Sequence, residues 1–112
     1  MPFAIQAEAD GVGMVLRVNG AVDLTTVDDL ERAMTEISRG GVVPVTVDLT
    51  AVTQLASVGV RALHELRDRL ADHGHDLILV APTTSPAHLV LDIVHLPHRP
   101  EATPTGAQEP SR

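Results

Sequence analysis

Ser57 is the residue whose type and position most invite chemistry. It opens the stretch SVGVRALHEL, at the predicted N-terminus of a helix, where unpaired backbone N–H groups favour an acceptor or an anion. Read from the residues alone, it is first an N-cap contributing about 1 kcal/mol. Asp23 lies before an earlier predicted helix and reads either as a surface carboxylate with a functional role or as a solvated helix-start residue. The spacing places no histidine near Ser57, so the nucleophile–base pair of a serine hydrolase has little support.

Other constellations carry less. His73-Gly74-His75 spans a predicted helix stop and offers a metal too few ligands; histidines at a helix C-terminus suit the dipole instead. His95 and His98 flank a proline at the edge of a tail and have no predicted fixed geometry. Gly11-Val12-Gly13 joins two predicted strands and precedes no helix, so it is not a dinucleotide loop. Asp28, Asp29 and Glu31 read as a solvated helix face with a dipole benefit. No metal and no cofactor is expected.

Composition narrows the classes further. The 112-residue chain has no cysteine, which excludes disulfides, thiolate metal sites and thiol catalysis. All eight basic residues are Arg, so lysine Schiff-base chemistry is absent. One aromatic residue, Phe3, and a net charge of -7 argue against nucleic-acid binding by stacking or by phosphate attraction. No apolar run reaches the length of a membrane span, and no signal-peptide pattern opens the chain. A cytoplasmic protein without membrane insertion is expected, and no enzyme.

The elements that must position Ser57 and Asp23 follow from periodicity. Alternation over 3–9 predicts a strand, Asp10-Gly11 with Gly13 a hairpin, and 14–18 the returning strand, ended by Gly20. Val27, Leu30, Met34 and Ile37 mark a helix over about 26–39, capped by Thr25 or Thr26. Residues 42–49 predict a central strand and 50–57 a lead into the second helix, with Leu63, Leu66 and Leu70 as its stripe. Glu65 and Arg69 have the spacing of an ion pair. Residues 77–81 predict another buried strand, and Ser85-Pro86 starts a third helix over 86–95. Pro97, Pro100, Pro104 and Pro110 predict a flexible, dispensable tail over 97–112. The fold class is α/β, ordered β–β–α–β–α–β–α with a mixed sheet, in one domain over 1–96.

Val47 to Leu66, VDLTAVTQLASVGVRALHEL, resembles the signature of the STAS domain, the family of bacterial anti-sigma factor antagonists. Asp48-Leu49 match its strand end, Ser57 its phosphorylatable serine, and Gly59 the glycine two residues on. Gly20 and Asp23 match its Gly-x-x-Asp, and Ala81 with Ser85-Pro86 resembles the following strand–loop–helix. The resemblance covers about 3–96. Ala56 stands where the family has Asp, and Val58 where it has a small residue.

The resemblance implies a STAS-like mixed sheet with helices packed on it, and partner switching as the function. The unphosphorylated domain would capture an anti-sigma factor serine kinase and free a sigma factor. Phosphorylation of Ser57 would release the kinase, and a serine phosphatase would reset the domain. The implied partner-binding residues are Asp23, Ala56, Val58, Gly59, Val60 and Arg61. The departures at Ala56 and Val58 support an alternative, a non-phosphorylated STAS interaction module such as a scaffold or transporter-associated subunit. The oligomeric state is left open, a homodimer included.

Overall fold

Three leucine and valine side chains lie shoulder to shoulder across the molecule: Leu16, Val47 and Leu79 face one another on adjacent strands and are essentially inaccessible to water. Each such burial contributes about 1.5–3 kcal/mol, which pins the strand register, because a slip of one residue would turn every such side chain to the opposite face. A computed structural model describes residues 3–101. Its strands are β1 (Ala4–Ala9), β2 (Met14–Val22), β3 (Val45–Leu55) and β4 (Ile78–Val80), in the order β1-β2-β3-β4. The first pair is antiparallel, and β2–β3 and β3–β4 are parallel. The helices α1 (Val27–Ser38), α2 (Ser57–Ala71) and α3 (Pro86–Ile93) alternate with the later strands. This is the expected element order and the expected mixed sheet.

The hairpin forms at Asp10–Gly13, where Asp10 accepts the Gly13 amide through Oδ1 at 3.0 Å and donates its own amide to Gly13 O at 3.0 Å. The helical stripes face the core as their spacing predicts: Val27, Leu30 and Met34 on α1, and Leu63, Leu66 and Leu70 on α2, are buried. The open face of the sheet pairs Val15, Thr46 and Ile78 across β2, β3 and β4, and all three are half-buried.

Several expectations need correction. Gly20 does not end β2; it lies inside the strand at φ 97°, next to shifts in the β2–β3 register. A positive φ is cheap for glycine and lets the strand absorb the irregularity. Residues 50–55 are not a lead into α2 but the second half of β3. Val52 and Leu55 alternate with exposed Thr53 and Gln54, and long-range pairing with β2 extends the strand beyond what local pattern suggests. Arg69 turns to Thr35 Oγ1 of α1 at 3.4 Å, and no Glu65–Arg69 ion pair forms among the described residues.

The chain beyond α3 also differs from expectation. Arg99 forms a parallel bridge with Val80, donating its amide to Leu79 O and accepting from the Ala81 amide, both at 2.8 Å. Leu96 is buried. The tail expected from residue 97 therefore begins inside a segment that pairs with the β4 edge, and its remainder, 102–112, lies outside the described residues.

Candidate partner-binding site

The site is assembled by two neighbouring parallel strands that end side by side. Val22 pairs with Leu55, and the Ala56 amide donates to Val22 O at 2.9 Å. One residue past each end of that bond lie Asp23 and Ser57. The structure thus brings together the two residues that stand 34 positions apart in the sequence.

Asp23 organises the turn into α1. Its Oδ1 accepts from the Thr25 hydroxyl at 2.6 Å and from the Thr25 amide at 2.9 Å. The Thr25 hydroxyl, followed by the Thr25 amide, holds the Asp23 carboxyl below its ordinary value of 3.8, because these bonds favour the charged form. The Asp23 carbonyl accepts the amides of Thr26 and Val27 at 3.2 and 2.9 Å. Thr26 occupies the cap position without capping. Its hydroxyl instead donates to Ala21 O at 2.8 Å and accepts the Asp23 amide at 3.0 Å. The expected threonine cap is thus replaced by a turn closed around Asp23.

Ser57 is not the N-cap that its position suggests. The cap is Ala56, in extended conformation and without a side-chain bond. Ser57 is the first helical residue; it is exposed, and its hydroxyl has no hydrogen-bond partner among the described residues. The first turn of α2 contains no acidic residue. Arg61, one turn on from Ser57 and on the same helical face, is exposed.

Gly59 explains how this turn sits so low on the sheet. A Cβ there would lie 2.5 Å from Val22 Cγ1 and 2.8 Å from Leu55 Cδ1. Gly59 is buried, whereas Ala56, Val58 and Val60 are half-buried. Of the six residues expected at a partner surface, Gly59 therefore supports the site from beneath. Asp48 and Leu49, expected at a strand end, lie in the middle of β3; the Asp48 carboxylate accepts the Thr50 hydroxyl at 2.6 Å.

One surface residue escaped the sequence reading. Leu24, next to Asp23, is 79% exposed, more than any other large apolar side chain among the described residues. The signal available was an apolar residue inside a capping turn, where nothing in the helix period claims it. Among the described residues no group of three or more potential ligands could hold a metal. His73 and His75 go separate ways: His73 Nδ1 lies 3.1 Å from Arg69 O in the last turn of α2, and His75 Nε2 lies 2.9 Å from Val42 O.

The family model of the STAS domain matches residues 4–105. The chain belongs to the STAS domain family. Among solved structures, this STAS domain is similar to an anti-sigma factor antagonist from Mycobacterium paratuberculosis, at 26% identity and a TM-score of 0.73, covering 89% of this chain and 87% of that one. The anti-sigma factor antagonist SpoIIAA, in its unphosphorylated form, shares the fold at 22% identity and a TM-score of 0.65, covering 83% and 82%. An antisigma-factor antagonist STAS domain from Rhodobacter sphaeroides shares it at 19% identity and a TM-score of 0.55, covering 77% and 88%. No helix among the described residues of this STAS domain is long and apolar enough to cross a membrane.

Proposed function

We propose that this STAS domain is an anti-sigma factor antagonist that works by partner switching, with Ser57 as its phosphorylation site. The observation that carries the reading is the Ser57 hydroxyl itself: exposed, without a structural hydrogen bond among the described residues, and one residue from the bond that brings Asp23 alongside. The likeness to a mycobacterial antagonist over most of both chains supports it. The partner is then a protein, an anti-sigma factor serine kinase, and a serine phosphatase resets the cycle. The domain is the kinase's substrate and not an enzyme, and it works in the cytoplasm.

The physics of a switch at this position is favourable. A phosphate on Ser57 adds about -1.5 to -2 charge. The N-terminus of α2 has free N–H groups to receive it, no acidic residue in its first turn to repel it, and Arg61 one turn on. The fold therefore tolerates the modification. A partner seated over Leu24, Val58 and Val60 does not, because a dianion buried against an apolar face costs several kcal/mol. Each 1.4 kcal/mol is about tenfold in affinity.

A second reading keeps the fold and drops the phosphate. Ala56, the cap residue, supplies no side-chain hydrogen bond and no carboxylate for a kinase to recognise. The domain would then be a constitutive interaction module. Calorimetric titration of the parent, Ser57→Asp and Ser57→Ala against the candidate anti-sigma kinase separates the two. Partner switching expects Ser57→Asp to bind at least about tenfold more weakly and Ser57→Ala to bind like the parent. Equal affinity for parent and aspartate forms would leave the constitutive module.

A further inference from the structure

The segment after α3 is folded back on the helix by a left-handed residue. His95 has φ 59°, and the Leu96 amide donates to Leu91 O at 2.9 Å, the long bond of a helix-terminating reversal with an apolar residue tucked behind it. Leu91 and Leu96 are both buried. This reversal brings His98 to His88 on α3: His88 Nδ1 lies 2.8 Å from His98 Nε2, with the rings edge to face and their centres 4.9 Å apart. Both side chains are half-buried. Immediately beyond, Arg99 makes its backbone bridge to β4.

The hydrogen positions at this contact follow from its partners. His98 Nδ1 lies 2.9 Å from Leu96 O; a carbonyl only accepts, so Nδ1 carries the proton. In a neutral His98, Nε2 is then a lone pair, and His88 Nδ1 donates to it. A first added proton goes to the other nitrogen of His88, Nε2, and leaves the contact intact as a charge-assisted bond. A second proton has only the accepting lone pair of His98 to occupy. It would set N–H against N–H and two cations in contact.

We propose that the His88–His98 contact is a proton-operated latch that holds residues 96–99 against the edge of β4 and releases them when both rings are protonated. Arg67 of α2 and Arg99 of the strap line a cavity of about 500 Å³ beside His98, together with His75 and Asp76. Asp92 and His95 line a second, on its α3 side. Release removes the two backbone bonds at Leu79 and Ala81, and so bares an edge strand able to pair with another chain.

Amide hydrogen exchange read by NMR tests the latch at about pH 7.5 and about pH 5, across the ordinary histidine range. Protection factors, which correct for the intrinsic effect of pH, are compared for Ala81 and Arg99 against Val47 in the core. The expected result is a loss of about tenfold or more at Ala81 and Arg99 at the lower pH, with Val47 unchanged, tenfold being about 1.4 kcal/mol. His88→Asn keeps a donor near Nδ1 and can turn its oxygen to a protonated His98, so in this variant the loss should vanish. His98→Gln, which cannot take the second proton, should behave alike and replaces His88→Asn if that variant does not fold. Unchanged protection in the parent, or the same loss in the non-titrating variant, would overturn the latch.

Discussion

Two serines begin helices in this domain, and the fold places them differently. Ser85 is tied into the fold: its hydroxyl accepts the His88 amide at 3.2 Å and donates to Pro82 O at 2.7 Å, and Pro86 follows at the first helical position. Ser57 sits one residue further into its helix, behind an alanine cap, with its hydroxyl exposed. A serine that caps is occupied, since its oxygen already serves an orphan amide. A serine just past the cap has given that duty away and is available for a reaction. The difference is one residue of register between strand end and helix start, set in α2 by the bond from the Ala56 amide to Val22 O.

The comparison can be broken most severely from beneath Ser57. Gly59→Leu places side-chain atoms where even a Cβ would collide with Val22 and Leu55, both buried. The expected outcome is loss of cooperative folding, monitored by circular dichroism. Gly59→Ala should still fold but lose about 1–3 kcal/mol in urea titration. A fully stable leucine variant would mean that the first turn of α2 can lift off the sheet, and the register argument would fail.

The two serines should then separate in stability. Ser85→Ala removes a working cap and is expected to cost about 1 kcal/mol, with partner affinity unchanged. Ser57→Ala removes an exposed hydroxyl without a structural partner and should stay within about 0.5 kcal/mol of the parent. Equal losses in urea titration would show that Ser57 also caps, and its availability for modification would lose its structural basis.

A smaller effect belongs to Asp23. Its carboxyl is held below 3.8, first by the Thr25 hydroxyl and then by the Thr25 amide. A depressed carboxylate stabilises the fold above its unfolded value, and that contribution is lost as pH falls through its folded value. Thermal melts of the parent and Asp23→Asn should therefore differ near neutral pH and converge below the ordinary aspartate range. A difference that persists unchanged at low pH would assign the effect to shape rather than charge.

Much of this was legible in the residues. The core stripes of α1 and α2, the Asp10–Gly13 hairpin and the Ser85-Pro86 helix start each depend on neighbours within a turn or two, where periodicity and capping chemistry act directly. Ser57, Asp23 and Gly59 were singled out through a family pattern. What local pattern missed were Gly20 inside β2, the second half of β3, exposed Leu24 and the fastening of residues 96–99.

The sequence by itself determined which segments are helices and strands, their order, and that one serine caps α3, because those outcomes are decided by side chains adjacent along the chain. Only the tertiary structure decided that β3 runs on to Leu55, that its end meets the end of β2 so that Asp23 and Ser57 become neighbours, and that His98 reaches His88. The physical reason is common to all three. Strand pairing and chain reversal are selected by burial between distant segments, such as Leu16 against Val47 and Leu91 against Leu96, and no local period encodes which distant residue a strand end or a histidine will meet.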